Sequence, residues 1–228
     1  MSIASQLHDL VRNGIRRIGE IEILTSLHDH AYVLCHYLDA ERAADEGFGG
    51  LAVHTGAADA RALSIHADDG SFRFIKAQVN LKRGWVLVLT DDEELRLALD
   101  HFYPAAVGLE LARRKGVLEV EHLRDKLNRQ TGMYRYARTI SDEGAQQLVE
   151  QVCGPAHNCA RRILWQLDAD TPLEDNEASR YNGIVGDLGE SHAIPLLCRE
   201  ACNHFVAECR KAAKREFDAK QARQEADG

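Results

Sequence analysis

Two separated cysteine pairs stand in the last third of this chain. If they act together they must meet in space, and no other feature constrains the fold as much. Cys153 and Cys159 lie in VCGPAHNCARRILW with five residues between them. Cys198 and Cys202 lie in LLCREACNHF with three. Of the six cysteines only Cys35 stands outside this region, and Cys209 is the fifth within it. Two pairs that converge gather four soft thiolates at one point, which is what an iron–sulfur cluster or a structural zinc demands.

Composition narrows the setting in which those thiols would work. The 228 residues are 45% hydrophobic, enough for one generous domain or two small ones. A net charge of -8 and a pI of 5.8 argue against nonspecific nucleic-acid binding, which needs a basic footprint. No apolar run approaches the roughly 20 residues of a membrane span. The N-terminal stretch MSIASQLHDLVRNGIRRIG lacks the apolar centre of a signal peptide. The expectation is a cytoplasmic protein without a membrane or nucleic-acid partner. There thiols stay reduced, and clustered cysteines read as metal or redox ligands before disulfides.

The hydrophobic pattern predicts an α+β chain. Ile3, Leu7, Leu10, Val11, Ile15 and Ile18 recur at helical steps over residues 1–19. Strand character follows at 20–25 and 31–38, a loop at GFGG (47–50) and a short helix at 57–66. WVLVLT (85–90) reads as a buried strand. Thr90 then reads as an N-cap with Glu93 three residues on, as in a capping box. Pro104 breaks the helix that follows, and Gly116 stops its continuation. A charged helix is predicted at 119–129, a loop or short strand at TGMYRYARTIS, and a helix from Ser141 that runs into Cys153. Pro195 is read as the start of a last helix that carries Cys198, Cys202 and Cys209. The boundaries drawn are an α+β region at 1–136, a mainly helical cysteine-bearing domain at 137–215, and a polar tail at 216–228 that frays into solvent.

On this reading Cys153 ends a helix, and Gly154-Pro155 turns the chain so that Cys159 returns to the same place. Cys198 and Cys202, four residues apart, share one helix face. Ile163, Trp165, Leu196, Leu197, Phe205 and Val206 supply an apolar shell, while Arg161, Arg162 and Arg199 offset the charge of four thiolates. Cys209 lies two turns beyond Cys202, about 10 Å along a helix, and is assigned to the core. The residues leave alternatives open. Three cysteines on one helical stripe are also what plain packing looks like. The spacings miss the C-x2-C of zinc knuckles and the ferredoxin run C-x2-C-x2-C alike.

Other patches carry less. His28, His30, Cys35 and His36 are dense in LHDHAYVLCH, but no carboxylate pattern completes a metal site. His157 and His204 flank the cysteine pairs and read as surface or supporting residues. DADTPLEDNE (168–177) lacks the spacing of a calcium loop. No nucleotide-binding, hydrolase or zinc-protease motif occurs. The Arg129–Arg135 segment, RQTGMYR, receives no chemical role.

CGPAHNCARRILW followed by PLLCREACNHFVAECRKAAK resembles the C-terminal 4Fe-4S binding domain of a Deinococcus multidomain family whose N-terminal part is a CbiX-like cobalt chelatase. LKRGWVLVL, ELRLALDHFYPAAVGLELARRKG and RQTGMYR resemble the small stabilising domain that precedes it there. The resemblance covers about residues 15–215. It implies a [4Fe-4S] cluster held by Cys153, Cys159, Cys198 and Cys202, and a link to tetrapyrrole metabolism. The sequence shows no chelatase domain, so the expectation is a redox module that works alone or with a separately encoded partner, such as a chelatase-like or tetrapyrrole-pathway enzyme. A zinc-stabilised adaptor and an iron–sulfur enzyme are the alternatives. The radical-enzyme spacing C-x3-C-x2-C is missing, which weakens the second.

Overall fold

A computed structural model describes residues 1–25, 32–153, 159–166, 192–199 and 201–226. The fold is α+β, and the chain divides into two compact units. The first holds residues 1–118 with 192–197, and the second 119–166 with 198–226 among the described residues. The division falls at Leu118/Glu119 rather than near 136, and it sends the chain back to the first unit late in its course.

The first unit is built on a six-stranded sheet. Its strands are β1 (Arg17–Ile18), β2 (Ile21–Thr25), β3 (Tyr32–His36), β4 (Ala52–Thr55), β5 (Trp85–Leu89) and, returning from far along the chain, the strand Ala193–Ile194. The order is β4-β5-β3-β2-β1 followed by that returning strand. β4 runs parallel to β5 and the returning strand parallel to β1, while the other neighbours are antiparallel. The register pairs Leu34 with Leu87 and Cys35 with Val86, so successive residues face opposite sides. On one side Trp85 stacks on Phe102 at 5.3 Å. On the other, Cys35 and Val86 pack with Ala43 and Leu51.

The helices follow from local rules. α1 (Ile3–Arg12) buries Ala4, Leu7 and Val11, and Ser2 caps it by accepting from the Ser5 N–H. α2 (Ala40–Ala44) and α3 (Ala57–Leu63) are short. α4 (Asp92–Phe102) is capped by Asp91, which accepts from the Glu93 and Glu94 amides, each at 2.9 Å. The cap is thus one residue later than the sequence suggested. Asp91 is the stronger acceptor, and Thr90 is instead held by Glu94 Oε2 at 2.8 Å. Pro104 separates α4 from α5 (Ala106–Arg114).

A buried carboxylate ties the irregular stretch between α3 and β5 to the sheet. Glu20 accepts from Arg73 Nη2 at 3.2 Å and from the Asn80 and Leu81 amides at 3.1 and 3.0 Å. His36 Nε2 stands 3.4 Å from its other oxygen. His36 therefore belongs to this network; His28 and His30 of the same sequence patch lie outside the described residues.

The second unit is mainly helical, with α6 (Leu123–Asn128), a 3-10 run at Gly132–Thr139, α7 (Asp142–Cys153) and α8 (Asn203–Ala226). Its core joins Leu127, Ile140, Leu148, Val149, Ile163, Trp165, Phe205 and Cys209. TGMYRYARTIS, expected to be a loop or short strand, is a 3-10 run over Gly132–Thr139. Residues 216–226, expected as a polar tail, continue α8, and Glu216 accepts from both the amide and the hydroxyl of Ser141, at 3.0 and 2.8 Å. Ser141 in turn caps α7 by accepting from the Gly144 N–H at 3.0 Å.

Candidate metal centre

The four cysteines come from four short pieces of the second unit. Cys153 is the last residue of α7 and packs, half-buried, on the core. Cys159 is half-buried six residues on. Cys198 is buried at the end of the strand Leu196–Cys198, where its carbonyl accepts from the Leu164 N–H at 3.0 Å. Cys202 is exposed and stands immediately before α8. Cys198 and Cys202 therefore do not share a helix face. Leu196–Cys198 is a fully buried strand and α8 begins only at Asn203, so the second pair spans a strand end and a helix start.

The sulfurs sense one another. Burial first, and then the neighbouring Cys159, Cys198, Cys202 and Cys209, push the Cys153 thiol far up. Cys198 is pushed to about 11, chiefly by burial, with Arg161 pulling against it and Cys202 and Cys159 adding to the rise. Cys159 is also raised by burial, opposed by an N–H of Arg161 that donates to its sulfur. Among the described residues, no three His, Cys, Asp or Glu side chains already close on one point as the ligands of a single ion do. The thiols share a neighbourhood, and none of them is in a disulfide.

Hydrogen-bond donors surround these sulfurs. The Phe205 amide in the first turn of α8 donates to Cys202 Sγ at 3.4 Å, so Cys202 caps the helix whose positive end faces it. The Trp165 indole N–H lies by Cys198, where it favours the thiolate, yet it does not reach hydrogen-bond geometry. Trp165 Nε1, Arg161 Nε and Arg199 Nε are all buried without a partner among the described residues. Sequence reasoning placed Trp165 in an apolar shell and missed its polar edge. The signal was available, since a buried tryptophan needs an acceptor for its N–H.

Ile163, Trp165, Phe205 and Val206 lie in the core beside Cys153. Leu196 and Leu197, expected in the same shell, fall in the first unit. Cys209 is buried in the core of the second unit, its thiol raised to about 12 by burial. His204 is exposed on α8, and His157 and residues 168–177 lie outside the described residues.

Comparison with known proteins defines the class. Residues 115–211 match the 4Fe-4S iron-sulfur cluster binding domain, and residues 4–114 match the DR2241 stabilising domain. The two matches divide the chain in two and point to 4Fe-4S binding in the second part. DR2241 of Deinococcus radiodurans has a solved structure similar to this chain, with a TM-score of 0.71 and 25% identity over 93% of this chain. That structure is described as a multi-domain protein with structural similarity to chelatases and two additional novel domains. The similarity spans 41% of that protein's length. No curated protein matches. Among the described residues no helix is long and apolar enough to cross a membrane.

The donor set suits the group that the family implies. Four thiols in one neighbourhood supply the soft ligands. Arg161 and the start of α8 offset their charge, and three buried N–H groups have no acceptor among the described residues.

Proposed function

We propose that Cys153, Cys159, Cys198 and Cys202 hold a [4Fe-4S] cluster, and that the protein exchanges single electrons with a separate partner protein. The observation that carries this reading is that these four cysteines, drawn from four separate pieces of chain, all lie within residues 115–211, the stretch that matches the 4Fe-4S iron-sulfur cluster binding domain. When bound, the cluster supplies one-electron redox chemistry. The chain's own residues do the rest. Raised thiols must lose their protons to bind, so loading releases protons and favours higher pH. Arg161 stabilises the resulting anionic sulfurs, and the apolar core of Ile163, Trp165 and Phe205 limits water.

Four cysteine ligands leave no iron open to a substrate, which favours electron transfer over catalysis. The partner is proposed to be a chelatase-like or tetrapyrrole-pathway enzyme, on the likeness to DR2241 alone. An acidic chain of net charge -8 would dock transiently on a basic surface of that partner.

The test is anaerobic purification with iron, acid-labile sulfide and zinc measured per chain. The expected product is brown, absorbs broadly at about 400 nm, and carries iron and sulfide in equal number. A colourless protein with one zinc and no sulfide would show a structural zinc site instead.

A further inference from the structure

Trp165 poses a problem that the cluster reading does not by itself solve. Its indole N–H can only donate, and its side chain is 1% exposed. It sits against Phe205, ring centroids 5.8 Å apart, in a core of Ile163, Val206 and Val149. A phenylalanine would fill this place with no unmet polar group. Two more buried donors of the unit, Arg161 Nε and Arg199 Nε, lack partners among the described residues, and both lie close to the cysteines in sequence. One such group is a small fault in a core, whereas three beside four cysteines make a pattern. Buried donors are normally satisfied. The missing acceptors would be sulfurs carrying negative charge, either thiolates or the sulfides of the cluster.

We propose that Trp165, supported by Arg161 and Arg199, donates hydrogen bonds to the sulfurs of the cluster site and thereby holds its reduction potential above what four thiolates alone would set. The inference rests on the ligand assignment above. Reduction adds one electron from a one-electron donor, and the added charge spreads onto the sulfurs. An N–H that points at sulfur therefore favours the reduced state more than the oxidised one. The indole contributes by dipole and the arginines by full charge. Trp165 is thus a positioning and tuning residue, not a ligand.

The test compares the wild-type chain with Trp165→Phe and with a chain carrying β-(3-benzothienyl)alanine at position 165 alone. The second keeps the shape of the indole and replaces only the N–H. Iron and sulfide are counted first. The midpoint is then read by anaerobic dithionite titration, and exchangeable-proton couplings by pulsed EPR of the reduced protein. The expected result is full iron in both variants, a midpoint more negative than wild type in both, and the loss of one exchangeable coupling. A benzothienyl variant with full iron and an unchanged midpoint overturns the proposal. So does one that loses iron, since the shape of the side chain is kept. A wild-type chain without iron refutes the ligand assignment instead.

Discussion

At the scale of single residues, Glu20 governs the first unit. Its carboxylate is 2% exposed and meets Arg73, itself 3% exposed, together with two backbone amides and His36. Two buried charges are tolerable here because nearly every lone pair finds a donor. Removing one partner strands the other. Glu20→Ala is expected to cost about 3–5 kcal/mol, with Glu20→Gln milder because an acceptor remains. The chain has two tryptophans, and in a Trp165→Phe background Trp85 alone reports on the first unit during urea unfolding. A loss under about 1 kcal/mol for Glu20→Ala would show that water or a rearrangement replaces the carboxylate. Sequence alone could not have found this network. Glu20, Arg73 and Asn80 look like ordinary surface polar residues, and only the fold of the 64–84 stretch brings them inside.

Elements show more clearly what the sequence encodes. α1, β5, the Pro104 break between α4 and α5, and the Ser141-capped α7 all follow from periodicity, caps and breakers, and all were legible. β4 was not, because Ala52–Thr55 is mostly exposed and lacks the alternation that marks a strand. The strand Leu196–Cys198 was read as helix for a similar reason. An i,i+4 cysteine pair suggests a helix, whereas burial on both sides decides for strand. Between elements, Asp39 ties the approach to α2 to the entry of β5. Its carboxylate accepts from the Gly84 N–H at 2.9 Å and from Arg83 Nη2 at 3.1 Å. Burial pushes this carboxyl up, but those two donors outweigh it and hold the group below the ordinary carboxylate value. The sign follows from that depression. The contribution is complete above the unfolded pKa of about 3.9 and is lost as pH falls from there through the lower folded value. Asp39→Asn should cost about 1–3 kcal/mol at pH 7, and the gap to wild type should narrow between pH 4 and pH 3 in urea unfolding. A gap that stays constant through that range would assign the effect to packing.

For the molecule as a whole, the sequence made the division of labour readable and the boundary hard to place. A composition change near 136 marks where the helical region begins. The compact units, however, divide at Leu118/Glu119, and residues 192–197 return to the first. That return rests on the pairing of Arg17 with Ala193 and Ile18 with Ile194, contacts between residues far apart in the chain that no local pattern announces. The proposed ligands could be named from the sequence, but their arrangement could not. Four cysteines could be named from spacing and resemblance, Arg161 from its position and the Trp165 donor from its residue type, while the Phe205 amide appears as a donor only once the chain is folded. The central claim is that these four cysteines and no others hold the cluster. The direct measurement is iron per chain, after anaerobic reconstitution, for six single Cys→Ser variants. Loss of most iron is expected at positions 153, 159, 198 and 202, with near wild-type iron at 35 and 209. Full iron in any of the first four, or loss at Cys209 in a variant that still folds, would contradict the assignment.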